Sequence, residues 1–351
     1  MLIYILFYSS SIVCYGIGVK LKHNIKHFFL LSSFLAVWLF SGLRGTVGQD
    51  TKNYTAHFDD INTFGDMLAY FGKVEPFFAV LVVVTRLLFD SAQALFLLVS
   101  FLQAALLFFV SSRLYHGILF FSIYLLTFYA DFHMNVLRAG LAGLFFVSAL
   151  VTYNDRKTSW LFFFLAVMSH ISILAFFPVY ALRLGLSFKL VAKIVFGGGL
   201  VFLFYYNLYS DVIYYKFFVY FGDGISYGEI PQSFLFLTFV GVVVWGLSKN
   251  LKIDLVVAFL IFSIFWVGAT QIQIFYRLYS LGALIFFGLA LEKKAAGGFR
   301  VRPLLLYSIG LGLFFSLLNY TGMENESDKW QSLDRGDIDY TYIPYSTFLD
   351  Y

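Results

Sequence analysis

Residues 158–184 read TSWLFFFLAVMSHISILAFFPVYALRL. The run is longer than the roughly 20 apolar residues a helix needs to cross a bilayer. Only His170 and Pro178 break it before Arg183. It reads as one tilted span, a broken helix or a hairpin, and the choice sets the parity of the whole chain. Similar runs lie at 2–19, 28–43, 92–110, 117–134, 138–153, 189–206, 232–248, 254–270, 273–291 and 303–320, and a shorter one at 76–90 carries Arg86. Their continuity points to helices, because a membrane barrel would alternate apolar and polar residues in strands of about ten. Apolar residues make up 60% of the 351 and charged residues 13%, where soluble domains carry roughly 25% charge. A water-soluble globule of this size lacks the interior to hide so much apolar surface. The expected fold is therefore an all-α polytopic membrane protein of about 11–12 embedded helices, broken or re-entrant segments included, with an outer loop after the second span.

Phe (46) and Tyr (25) make the chain rich in aromatic residues suited to lipid and interface. The single Cys14 excludes an internal disulfide and a cysteine-based zinc site. The first apolar run has its lysines after it (Lys20, Lys22, Lys26), which argues against a cleavable signal peptide.

Charge distribution orients the chain. Lys20-Lys22-Lys26, Arg156-Lys157, Arg183-Lys189-Lys193, Lys249-Lys252 and Lys293-Lys294-Arg300-Arg302 are expected in the cytoplasm. The acidic segments 44–75, 207–231 and 321–351 then face outward, as does the amino terminus. Counting every run as one crossing would put Arg156-Lys157 outside. Taking 76–90 as re-entrant and 158–184 as two passes brings that pair inside and gathers Arg44, Arg138 and His170 at the outer side. That arrangement is preferred. Residues 1–320 read as one transmembrane domain and 321–351 as a polar acidic tail on the outer side.

Charges within or beside a membrane are costly, so each needs a reason. Arg44 lies in Ser41-Gly42-Leu43-Arg44-Gly45-Thr46-Val47-Gly48-Gln49-Asp50, with Tyr54 just beyond. Its guanidinium suits phosphate, and Asp50 is a candidate base or sugar ligand; the alternative is a snorkelling arginine in a polar loop. Arg138 opens a helix lined by small residues (Ala139, Gly140, Ala142, Gly143). A helix amino terminus attracts anions and an arginine there strengthens it, although an interfacial anchor above a packing seam reads the same way. His170 is either a packed, hydrogen-bonded histidine or a general base. Arg277 stands between Tyr276 and Tyr279, aromatics that fit an interface belt or a sugar face. Arg86 is assigned no role. Walker loop, Rossmann fingerprint, zinc HExxH pair and basic nucleic-acid stripe are missing from the sequence, and no nucleotide-sugar DxD loop stands out.

In this order the clusters resemble the EpsG/Wzy family of bacterial polysaccharide polymerases. The resemblance rests on Arg44 with Val47-Gly48-Gln49-Asp50-Thr51 and Tyr54, on Glu75-Pro76-Phe77, on Arg138-Ala139-Gly140-Leu141-Ala142, on His170-Ile171-Ser172 and on the late Arg277. The family's usual Gly-Thr-Asp is Gly48-Gln49-Asp50 here. The resemblance implies a glycosyltransferase of the bacterial inner membrane, acting at the periplasmic face in making O-antigen, lipopolysaccharide or capsule. Its substrates would be oligosaccharide repeat units on undecaprenyl diphosphate, with membrane lipids and a chain-length regulator as partners. It calls for no cofactor, metal or nucleic acid. Arg44, Arg138 and Arg277 would bind the diphosphate, His170 or Asp50 would be the base, and Tyr54 and Tyr276 would position sugar. A flippase for the same lipids, a membrane acyltransferase and a channel are the rival readings. Pseudo-repeated halves, an early arginine–histidine pattern and a polar stripe, which these would respectively show, are not evident in the sequence.

Overall fold

The computed structural model describes residues 2–21, 25–45, 47–48, 50–70, 74–197, 253–269 and 273–292, with the side chains of 266–269, 273–274, 276 and 277 excepted. The expected spans at 232–248 and 303–320, the second half of 189–206, the acidic segment 207–231 and the tail 321–351 lie outside them. Residues 188–197, where the 189–206 run begins, are helical.

Among the described residues all the extended regular elements are helices, so the fold is all-α. Helices α1 (Leu2–Lys20) and α2 (Ile25–Gly42) form a hairpin, with Ser33 Oγ donating to Ser11 O at 2.8 Å. The α2 hairpin docks on α6 (Ala92–Arg113) through Trp38 Nε1, which donates to Leu97 O at 2.9 Å. Ile3–Lys20, Ile25–Gly42 and Ala92–Arg113 are long and apolar enough to cross a membrane.

Between α2 and α6 lies a polar excursion of α3 (Thr51–Asp60), α4 (Phe64–Ala69) and α5 (Pro76–Leu88). Thr63 and Asp66 close α4 with a capping box, and Pro76 opens α5 from its first turn. Both ends of α5 touch α3. Near its start Phe78 meets Tyr54, with ring centroids 5.2 Å apart. At its far end Arg86 Nη2 donates to Phe58 O at 2.6 Å while Nη1 pairs with Asp90 at 2.7 Å. Thirteen residues extend about 20 Å, short of the roughly 30 Å hydrocarbon core. A helix of that length tied at both ends to a polar neighbour fits the re-entrant reading of 76–90.

The 117–134 run begins as α7 (Gly117–Ile123) and continues in π-helical geometry over Tyr124–Phe128 and Ala130–Asn135. It stops at Val136, whose φ of −86° and ψ of 66° are not helical, and α8 (Leu137–Val151) starts at once. Such a break strands backbone carbonyls in a greasy interior. Buried side chains meet them: Gln103 Nε2 donates to Phe132 O at 2.8 Å and Arg44 Nη1 donates to His133 O at 2.8 Å, while Gln103 Nε2 also reaches Leu137 O, in the first turn of α8, at 3.0 Å. The two segments also approach closely. A Cβ on Gly140 would stand 2.5 Å from Phe132 Cβ, and one on Gly48 (φ 102°) would stand 2.0 Å from Met134 O.

The stretch quoted at the outset is a hairpin. Helix α9 (Arg156–Ser169) ends at His170, a 3₁₀ turn runs over Ile171–Phe176, and α10 (Phe177–Arg183) returns along α9. Phe163 and Tyr180 stack at 4.3 Å, and Ser159 Oγ lies 3.1 Å from the Tyr180 hydroxyl, so the two arms run antiparallel. The chain turns at His170, and Pro178 falls in the first turn of α10, where a missing amide proton costs nothing. Helices α11 (Ile253–Ala269) and α12 (Gln273–Ala290) complete the core, with Phe262 stacked on Tyr279 at 4.9 Å.

Charges collect at two ends of this bundle. At one, Arg183 pairs with Asp254 at 3.1 Å and with Glu292, over the Tyr153 ring at 3.9 Å. The other end holds Glu75, Arg138 and His170. Replacing Gln103 with Met keeps the volume but removes both hydrogen bonds across the break. It should lower stability by about 1–3 kcal/mol, read as a lower melting temperature of the detergent-solubilised chain; an unchanged melt would show that the break needs no such support.

Candidate functional site

Three ionisable side chains meet where three helices start, stop or break. Glu75 precedes Pro76, and a residue before proline is held extended (φ −67°, ψ 143°). Its carboxylate makes no capping bond to its own helix and turns elsewhere. Arg138 is the second residue of α8, brought to the helix start by the break at Val136. His170 is extended (φ −161°, ψ 119°) at the turn of the hairpin. One Glu75 oxygen, Oε2, forms an ion pair with Arg138 Nη1. The other, Oε1, lies 2.7 Å from His170 Nδ1. The three side chains keep 23%, 16% and 18% of their surface for Arg138, Glu75 and His170, so the cluster is partly open.

Helix α3 forms one wall. Tyr54 is 2% exposed, with its ring 5.8 Å beneath the Arg138 guanidinium. Burial raises its phenol, and the charge and hydrogen bond of Arg138 oppose that rise. His57, one turn on, is half-buried; burial and then the Arg138 charge lower its imidazole, which keeps it neutral near pH 7. Asp50 lies at the start of α3, where its amide donates to Asn135 Oδ1 at 3.0 Å and Asn53 Nδ2 reaches its carboxylate at 3.4 Å. Its charge is felt by both Tyr54 and His57. For Glu75 itself, burial works to raise the carboxyl, but the His170 contact and the Arg138 charge outweigh it and lower it to about 2.

The structure thus gathers Asp50, Tyr54, Arg138 and His170 around Glu75. Arg44 stands apart. Its guanidinium is 0% exposed, bonded to His133 O and 4.5 Å from the centre of the Phe96 ring, where it supports the broken helix. Tyr54 meets Arg138 from below and presents little surface to a sugar. Arg277 and Tyr276 belong to α12, and their side chains lie outside the described residues. His133 is fully buried, stacked on Tyr129 at 4.5 Å and 3.4 Å from Ser41 Oγ.

Sequence reasoning assigned no role to Glu75, His57 or Gln103. Glu75 carried a signal, a carboxylate immediately before a proline at the head of an apolar run. Gln103 carried another, an amide midway along the run 92–110. His57 lies in a polar stretch and had none.

Arg138 and Glu75 make a tight pair at a helix amino terminus, so an anion arriving there must compete with Glu75. The carboxyl of Glu75 is lowered from 4.5 to about 2. The unfolded chain therefore takes up that proton first as pH falls, and the link stabilises fully above about 4.5. The melting-temperature gap between wild type and Glu75→Gln should hold steady from pH 7 to about 5 and then shrink as pH falls toward 2. A gap that widens on acidification would contradict the ionised pairing.

No curated protein and no solved structure matches the chain. The sequence profile described as the EpsG family does, across residues 27–331. That span takes in Glu75, Arg138 and His170 and every described helix but α1 and the first two residues of α2, and the chain, a membrane protein of helical fold, belongs to the EpsG family.

Proposed function

We propose that the chain is a polysaccharide polymerase, a glycosyltransferase that joins oligosaccharide repeat units carried on a polyprenyl diphosphate, undecaprenyl diphosphate in bacteria. Family membership supports the reaction class. The observation that carries the site is the Arg138–Glu75–His170 cluster, a cation at a helix amino terminus beside an imidazole backed by a carboxylate. Diphosphate is the leaving group, and negative charge grows on it as the glycosidic bond breaks. Arg138 meets that charge, assisted by the amides that open α8. Arg277 is the proposed second cation. The buried Arg44 supports the loop against which these groups stand.

His170 is the proposed base. It removes the proton from the acceptor sugar hydroxyl. The freed oxygen bonds to the anomeric carbon of the donor. The bond from that carbon to the diphosphate oxygen breaks, and its electron pair leaves on the polyprenyl diphosphate. Asp50, at the start of α3, is the proposed contact for sugar hydroxyls. Orientation follows from charge. Arg156, Lys157, Lys189 and Lys193 belong with the Arg183 end of the bundle, which the positive-inside rule assigns to the cytoplasm. The cluster then opens to the periplasmic side of the inner membrane, where O-antigen or capsule units are joined.

The test is polymer length in cells. Arg138→Ala and His170→Ala, expressed at wild-type level, should leave single repeat units on the acceptor, with activity reduced at least about 100-fold. Arg277→Ala should do the same. Full-length polymer from Arg138→Ala or His170→Ala would sink the assignment. Loss of all repeat units from the outer surface would point to translocation instead.

A further inference from the structure

Among the described residues, Glu75 is the one anion touching both the cation and the imidazole of the cluster, and it makes no capping bond to the helix it precedes. We infer that Glu75 is a positioning residue for the transfer: it fixes His170 with Nδ1 turned inward and Nε2 toward the acceptor, and sets the rest position of Arg138. The inference rests on the polymerase reading for its consequence, though not for its geometry.

His170 Nδ1 is buried and 2.7 Å from Glu75 Oε1, an ion-pair contact that is not aligned as a hydrogen bond in this geometry. A carboxylate there favours the tautomer that carries its proton on Nδ1, which leaves the lone pair on Nε2. The acceptor proton then passes to Nε2, and the imidazolium formed is stabilised by the carboxylate beside it. Glu75 takes up no proton in the step. Its second oxygen meanwhile holds Arg138. When the donor diphosphate draws that guanidinium to itself, Glu75 is left to His170 alone, and the imidazole becomes more basic as the leaving group arrives. Base strength is thereby tied to donor binding, which disfavours attack when the leaving group is not yet held. Among the described residues, the other charged and titratable groups facing the cluster are Tyr54, His57 and Asp50, all on α3 or at its start.

The experiment measures His170 directly in the purified full-length chain in lipid nanodiscs, with no sugar substrate present. Diethyl pyrocarbonate modifies neutral imidazole, and peptide mass spectrometry reports the His170 rate against pH. Glu75→Gln should move the midpoint to lower pH by about 1 unit or more, because an opposite charge favours the protonated ring and its removal does the reverse. Glu75→Asp should stay near wild type. Arg138→Gln should move the midpoint upward, since a positive neighbour is gone. In membrane vesicles supplied with the host's own lipid-linked repeat unit, Glu75→Gln should lower polymerisation about 100-fold or more, with partial rescue by Glu75→Asp. A His170 midpoint that stays put in Glu75→Gln overturns the inference, as does a shift of the opposite sign. Should Glu75→Gln fail to fold, Arg138→Gln decides, and no movement there overturns it. Because the reactivity assay uses no substrate, it can fail while the polymer-length test succeeds, or succeed while that test fails.

Discussion

A guanidinium at the first turn of a membrane helix stands where the helix dipole is already positive, and an anion must meet it. At Arg138 that anion is Glu75, whose other oxygen is turned to His170. The remaining geometry serves this contact. Proline at 76 holds Glu75 outside its helix, the break at Val136 brings Arg138 to a helix start, and the turn at His170 exposes the imidazole at a hairpin tip. Arg138 and His170 come from interruptions between apolar runs and Glu75 from the head of one, because continuous helices would carry these side chains into lipid or the core.

Interruptions leave backbone groups without partners, and in a bilayer those groups are expensive. The chain answers with buried polar side chains. Gln103 bonds two carbonyls astride the break and Arg44 bonds a third. Arg44 therefore serves the site at one remove. It steadies the end of the π-helical segment, while the loop that carries it leads into α3 and the wall formed by Tyr54 and His57. The absence of side chains at Gly48 and Gly140 lets that loop and α8 close on the same segment.

The two charged ends of the bundle do different things. The Arg183 pairings with Asp254 and Glu292 link α10, α11 and the end of α12, and the guanidinium lies over Tyr153. The Glu75 cluster is partly open and holds an imidazole 2.7 Å from a carboxylate oxygen. Charge buried between two carboxylates makes a joint, whereas charge shared at a rim can change partners when a stronger anion arrives.

Composition and run length alone determined that this is a helical membrane protein, because hydrocarbon tolerates few other backbones and 13% charge leaves few other solvents. The positions of α1, α2, α6 and α8 followed the apolar runs within a few residues. Arg138 and His170 were visible as charges that apolar surroundings must justify. Only tertiary structure decided that residues 158–184 fold back on themselves, since a run of apolar residues carries no mark of direction and the stacking of Phe163 on Tyr180 does. It also separated Arg44 from Arg138, which look alike as letters and differ in what lies within hydrogen-bonding reach. The pairing of Glu75 with Arg138, 63 positions on, and with His170, farther along the chain still, is of the same kind. A sequence shows which groups need partners, and only the folded chain brings a given partner within 3 Å.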